Sequence, residues 1–369
     1  MLASNGNNVP VEDKLSPCNN LLASLFRNVE LCINGQLLTR STREYPYREY
    51  IKRITQYDTP TGASIKGVDT MSGFLMDEAG KFDDDTAPPV VERKTWIAGS
   101  KTCELRGRPC LDFFDNDRCL LPGSDIQLKF YLNDPAFYLL YKKDENPPGY
   151  KIILNAAELI VRRITIADSF LNEINSKIKS ADAIYPITRR ETVAISIPKG
   201  STSFIKENLF RGQLAVRYFF ALIDAKAYTG DYTKSPYNFQ HFNLREIGLF
   251  ENGQSVGNNQ PLKCDFGEGN KIYNVYYNLL ESIGAIGERA LACPIGLNEF
   301  KNGCTLFCFT RSPDLCHGET HLPYNVGNLT LQLTFDNALT TDIIVLCLGE
   351  FDNTVRINGE KNIITDYAV

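Results

Sequence analysis

Five residues of the kind that bind soft divalent metals crowd into one short span, "CTLFCFTRSPDLCHGETH": Cys304, Cys308, Cys316, His317 and His321. Thiolates and imidazoles are the ligands of tetrahedral zinc. The spacing speaks against a single site. Cys304 and Cys308 lie in an apolar run that reads as a strand, and strand rise would hold their side chains about 13 Å apart. The expectation is buried strand cysteines followed by a polar loop, with no metal assigned.

Other reactive chemistry is thinly supplied. The chain has three histidines, and His241 in "YNFQHFNL" sits among aromatics, the setting of a structural rather than a catalytic imidazole. No G-x-S-x-G elbow, phosphate-binding G-x-x-x-x-G-K-[ST] loop or H-E-x-x-H pair occurs. "GEGNK", 267–271, lacks the strand-to-helix setting of a phosphate cradle and reads as a turn. Asp83, Asp84 and Asp85 in "KFDDDT" read as a solvated acidic run. Arg162 and Arg163, with Arg189 and Arg190, bracket an expected helix and read as surface charge, a phosphate-facing patch being the alternative. No catalytic, cofactor-binding or metal residue is assigned, and no enzymatic activity is expected.

The elements that would carry these residues are mostly strands. At 369 residues the chain exceeds what one core usually organises. Its aromatic stock is 21 Phe and 18 Tyr against one Trp, a bias toward strand formers. A net charge of -5 argues against a protein that mainly binds nucleic acid. The eleven cysteines are odd in number and scattered, and Cys32, Cys308 and Cys347 stand in apolar strands as small hydrophobes. Reduced thiols are expected. The sequon at Asn328 opens an expected buried strand and reads as unglycosylated. The opening residues show neither a signal peptide nor, anywhere after them, an apolar run of membrane-spanning length.

One pattern occurs twice. "VELCINGQLLT" and "REIGLFENGQSV" each place an Asn-Gly pair, Asn34-Gly35 and Asn252-Gly253, between apolar runs, the signature of a two-residue hairpin. Each is followed by a helical spacing of apolar residues, Tyr47, Tyr50, Ile51 and Ile54 in the first copy, Tyr273, Tyr276, Tyr277 and Leu280 in the second. "GSDIQLKFYLNDPA" is then echoed by "GNLTLQLTFDNA", setting Ile126, Leu128, Phe130 and Leu132 against Leu329, Leu331, Leu333 and Phe335. "KIILNAAELIVRRI", 151–164, is matched loosely by "DIIVLCLGEFDNTVRI". An internal duplication into two β-units explains the shared order.

Strands are expected at Val29–Ile33, Ile126–Leu132, Lys151–Ile164, Thr192–Ile197, Leu214–Ile223, Leu244–Phe250, Cys304–Phe309, Leu329–Phe335 and Ile343–Leu348. A helix behind a candidate Asp168 cap links the copies, with Pro186 ending it. The Gly- and Pro-rich 56–100 stretch, with Trp96, reads as a long loop. The division is 1–166, a linker at 167–185, and 186–369. Sixty residues separate Thr192 from Asn252 but thirty-three precede Asn34, so the first unit is expected to lack its leading strands.

Several long motifs, "VELCINGQLLT" with "YPYREYI", "CLDFFDNDRCLLPGSDIQL", "IYPITRRETVAISIPKGSTSF", "FRGQLAVRYFFALIDAKAYTGDYTKSPYNFQHFNL" and "EFDNTVRINGEKNIITDY", occur in the order of one family. From about Leu22 to Tyr367 the chain resembles the double jelly-roll major capsid proteins of Polinton (Maverick) elements and adintoviruses. The resemblance implies an all-β fold of two stacked eight-stranded-type sandwiches with a linker helix, the first N-terminally truncated. It further implies a homotrimer of pseudo-hexagonal outline that meets neighbouring capsomers and a penton-type minor capsid protein in an icosahedral shell. The virion would be the location, after assembly in a eukaryotic host cell, in the nucleus. No sequence-specific nucleic-acid contact, membrane span, cofactor or catalytic residue comes with the resemblance. The rival reading is a carbohydrate-binding or carbohydrate-active β-sandwich, which would want exposed Trp and paired acids across a cleft.

Overall fold

Runs of β-branched and aromatic residues make strands the dominant regular element of the chain, as the computed structural model shows. It describes residues 8–11, 13–39, 42–55, 69–141, 149–210, 212–256, 260–267, 269, 271–286, 293–312 and 324–367. The first part holds β1 (Leu15–Pro17), β2 (Phe26–Ile33), β3 (Gln36–Leu37), β4 (Ile126–Leu132) and β5 (Leu139–Tyr141). The second holds β6 (Ala183–Ile197), β7 (Ser203–Lys206), β8 (Arg217–Asp224), β9 (Leu244–Glu251), β10 (Gln254–Ser255), β11 (Leu262–Lys263), β12 (Leu306–Thr310), β13 (Leu329–Phe335), β14 (Ile343–Ile357) and β15 (Ile363–Thr365). Among the described residues the first part forms a three-stranded sheet, β3-β2-β4, and the pair β1-β5. The second forms two five-stranded sheets. One orders β10-β9-β13-β7 with β11 also on β9; the other orders β12-β8-β14-β15 with β6 also on β14.

The two Asn-Gly turns are built alike. Positive φ at Asn34 (49°) and Gly35 (78°) is matched at Asn252 (50°) and Gly253 (85°), as a type I′ turn requires. The Asn34 N–H donates to the Asp125 carbonyl at 2.9 Å, and the Asp125 N–H donates back to Asn34 Oδ1 at 2.8 Å. Asn252 and Asn328 repeat the exchange, at 2.9 Å each way. Each turn asparagine thereby clasps the residue just before the neighbouring strand, β4 or β13, and sets its register. At the far end the Asn133 N–H donates to Leu25 and the Asp336 N–H to Asn243, at 2.8 and 2.9 Å.

β14 is the central strand of its sheet and is buried over most of its fifteen residues. Its register places Glu350 directly opposite Arg190 of β6 on one side and Arg217 of β8 on the other. Arg190 Nε donates to Glu350 Oε1 at 2.9 Å, and Arg217 donates to Oε2 through Nε at 2.8 Å and Nη2 at 2.6 Å. Both carboxylate oxygens are thus occupied, which is what a buried charge needs. Burial alone would raise the Glu350 carboxyl, but the two guanidiniums outweigh it and hold it at about 2. Arg190 Nη1 continues to Asp112 (3.3 Å) and Asp115 (3.2 Å), residues ahead of β4. There Arg48 and Lys52, from the Tyr45–Thr55 helix, meet Asp112 at 3.7 Å and Asp115 at 2.5 Å. Alternating charges therefore run from the first half's helix into the centre of the second half's sheet.

Apolar packing crosses the same boundary. Tyr47, Tyr50, Ile51 and Ile54 are buried on the Tyr45–Thr55 helix, as their spacing predicts. Tyr50 stacks on Tyr237 with ring centroids 4.2 Å apart, and Tyr47 on Tyr228 at 5.7 Å. A second cluster joins Val29, Leu31 and Ile33 of β2 to Tyr185 and Ile187 of β6 and to Val355 and Ile357 of β14.

Several elements differ from expectation, each for a local reason. Residues 152–167 form no strand, although 151–164 alternates. Pro186 lies inside β6, opposite Thr354, and not at a helix end; among the described residues β6 pairs with no strand but β14, and its outer edge is met instead by the Asn116 and Arg118 side chains, which donate to the Pro186 and Ile184 carbonyls, so no ladder bond is lost at the proline. Asp168 begins the Asp168–Ile178 helix, and no side chain caps that helix. On the Tyr273–Ser282 helix the buried face is Val275, Leu279 and Ser282, while Tyr273 and Tyr277 are exposed. Val275 and Leu279, four apart, complete the apolar stripe with Ile283.

Two outcomes are expected. Glu350→Gln should cost about 3–5 kcal/mol of unfolding free energy at neutral pH by urea titration, because it leaves two guanidiniums short of their counter-charge. Glu350 is held below the roughly 4.3 of an unfolded glutamate, so its contribution is complete above that pH and fades as pH falls toward about 2; the variant should lack that acid limb. Hydrogen exchange should find β2 and β4 less protected than β9 and β13, since among the described residues β2 and β4 belong to a three-stranded sheet with β4 at its edge, whereas β9 and β13 belong to a five-stranded one with β13 flanked by β9 and β7.

Candidate assembly surface

The residues singled out for chemistry are distributed through the fold and do not converge. Cys304 and Cys308 are fully buried, and Cys308 stands in β12 opposite Phe219. Cys316, His317 and His321 lie outside the described residues. Burial pushes the thiols up, Cys264 to about 12 and Cys347 further still. His241 is half-buried and stacked flat on Phe266, centroids 4.2 Å apart, and its Nδ1 accepts from the Asn243 N–H at 3.0 Å. Burial, then the charge of Lys301, pushes it down to about 4. Its bond helps hold Phe242 (φ 45°) and Asn243 (φ 52°) in the left-handed region. These residues line a groove of about 410 Å³ with Gln240, Lys301 and Asn337, and no carboxylate lines it. The paired acids of glycoside hydrolysis are missing there.

The aspartates of 83–85 are not a solvated run. Asp83 accepts from the Ser235 N–H at 2.6 Å and from Asn238 Nδ2 at 3.0 Å, tying its loop to the second half. Asp84 accepts from the N–H and hydroxyl of Thr86, and Asp85 pairs with Lys14 at 3.2 Å. Trp96 is on the Pro88–Ile97 helix, not in a loop, and packs partly buried against the core, which removes it as a sugar platform. That helix also buries Arg93, whose Nη2 reaches Asp77 at 2.7 Å. Asn328 is exposed, with its side-chain oxygen accepting from the Asn208 N–H at 3.1 Å.

The arginine pairs divide. Arg189 and Arg190 are not surface charge: Arg190 belongs to the buried network, and Arg189 lies over the Phe351 and Tyr367 rings at 4.3 and 5.0 Å while pairing with Glu191 at 2.8 Å. Sequence alone misses this because the partner carboxylates lie far away along the chain and meet only through strand register. Arg162 and Arg163 are exposed.

What the surface does offer is unpaired apolar strand chemistry in the first half. On β4 the residues that match the buried Leu329, Leu333 and Phe335 of β13 are open to solvent: Ile126 is 39 % exposed, Phe130 45 % and Leu132 58 %. In the extended 152–167 stretch Leu159 is 54 % exposed, Val161 55 %, and Ile160 and Ile164 70 % each. The Asp168–Ile178 helix that follows buries no residue. Exposed apolar side chains gathered along one strand or segment have the composition of a contact surface.

No family model matches the sequence. The chain is 24% identical over 358 residues to "Uncharacterized protein F54H12.2" of Caenorhabditis elegans, across 96% of this chain and 82% of that protein. Among solved structures it superposes on a chain of the Sputnik virophage with a TM-score of 0.56 at 11% identity, covering 96% of this chain and 76% of that one. For VP54 of PBCV-1, fitted into a reconstruction of Sputnik, the TM-score is 0.54 at 11% identity, over 98% and 92% of the two chains. The Faustovirus major capsid protein gives 0.50 at 9% identity, over 96% and 76%. No helix among the described residues is long and apolar enough to cross a membrane. The fold is an all-β double jelly roll.

Proposed function

We propose that the chain is a structural virion protein, a major capsid protein of a Polinton-like virus or endogenous element, whose work is self-assembly. The observation that carries this reading is a double jelly roll matched along nearly the whole chain by the viral capsid structures above, joined to the family motifs in the sequence. The units are 1–166 and 186–369, linked through 167–185. The paired clasps at Asn34 and Asn252 support a duplication. Sandwiches of this kind hide their apolar faces between sheets and leave loops and flanks for lateral contact. Three copies close into a pseudo-hexagonal capsomer that meets its neighbours and a penton-type protein in an icosahedral shell. The location is the virion, assembled in the nucleus of a eukaryotic host. The role in this reading is structural and not enzymatic, in keeping with the viral capsid proteins that share the fold.

Native mass spectrometry and sedimentation of the full chain at tens of micromolar should give three times the chain mass, and negative-stain images should show a pseudo-hexagonal outline. A strictly monomeric chain under those conditions would count against the capsid reading.

A further inference from the structure

The 152–167 stretch is extended, and among the described residues none of it pairs with another strand. It is also self-complementary. Laid antiparallel against a second copy with Ile160 on the two-fold axis, it places Leu159 opposite Val161 and Glu158 opposite Arg162. Further out, Ala157 meets Arg163, Ala156 meets Ile164, Asn155 meets Thr165, and Leu154 meets Ile166. Apart from the Ala157–Arg163 pair, apolar residues face apolar ones, the polar pair falls together, and one ion pair forms on each side of the axis. Opposed Cβ atoms in such a ladder are about 4.5–5.5 Å apart, and opposite charges set face to face stabilise it. A shift of one residue keeps an ion pair, Glu158 against Arg163, but sets Leu159 against Arg162 and Asn155 against Ile166, so the register centred on Ile160 is the better matched of the two.

We propose that 154–166 is a strand-pairing site for a second copy of this chain, an isologous contact centred on Ile160. It adds to the assembly reading without requiring the trimer. Each copy brings an open row of backbone donors and acceptors, the condition under which exposed strands pair between chains. A two-stranded ribbon is marginal on its own, so the contact is weak between single chains and gains strength where many copies are already held near one another.

Disulfide trapping on the full chain tests it. Under mild oxidation Ile160→Cys should yield a peptide pair joined through position 160 of both copies, identified by mass spectrometry because Cys103 and Cys119 are exposed in the native chain. Its yield should exceed by about tenfold or more that from Ile205→Cys, at a similarly open site elsewhere. Leu159→Cys mixed with Val161→Cys should give the mixed pair. Glu158→Arg should raise the dimer dissociation constant about tenfold, and Glu158→Arg with Arg162→Glu should restore it. Linkage no greater than at position 205, no rescue by the charge swap, or the introduced thiol joined to a different part of the chain would each overturn the proposal. Dimer without trimer would leave this contact standing and sink the trimer, so the two failures are distinguishable.

Discussion

Glu350, held between Arg190 and Arg217, is the constraint on which the rest of the molecule depends. It sits on the central strand of its sheet, and its two partners are the residues directly across on either side. A slip of the ladder in either direction would part the buried Glu350 carboxylate from the guanidiniums that neutralise it, a penalty of several kcal/mol against an overall stability roughly twice that size for an ordinary domain. The ion cluster therefore acts less as adhesive than as a gauge of register. Because Arg190 also meets Asp112 and Asp115, the gauge extends to the first half, and the orientation of one sandwich against the other is set by the same charges that align the strands.

Around that gauge, apolar surface provides the driving force. The aromatic stack of Tyr47, Tyr50, Tyr228 and Tyr237 lies where the halves meet, and such rings bring both area and preferred geometry. The halves differ in how far their strands are covered. In the second, apolar strand faces are buried between two five-stranded sheets; in the first, β4 and 152–167 remain open. One chain thus contains both a finished core and a surface whose composition is that of a core.

Much of this was legible in the residues. Alternation located β2, β4, β9 and β13 to within a few residues, and Asn-Gly identified both turns, because strand pleat and positive φ are local demands. The Tyr45–Thr55 helix was legible for the same reason. Arg190 was not: an Arg-Arg pair on a strand looks like solvent-facing charge until register reveals a glutamate 160 positions away. Asp83 escaped likewise, since its partners Ser235 and Asn238 come from the other half. The exposed state of 151–164 was also hidden, because alternation reports that a segment is suited to a sheet and says nothing about whether a neighbour is there to complete it.

The cluster that unites Val29, Leu31 and Ile33 with Val355 and Ile357 has a consequence for biosynthesis. Its two sides are separated by nearly the whole chain, so the amino-terminal hairpin leaves the ribosome long before the residues that cover it exist. At translation speeds of about 5–20 residues per second, that hairpin waits on the order of tens of seconds with its inner face only partly covered, by nearby residues such as Leu38, Tyr45, Leu111 and Phe113. A newly made chain therefore carries unfinished apolar surface, the condition that favours aggregation, until its last strands arrive.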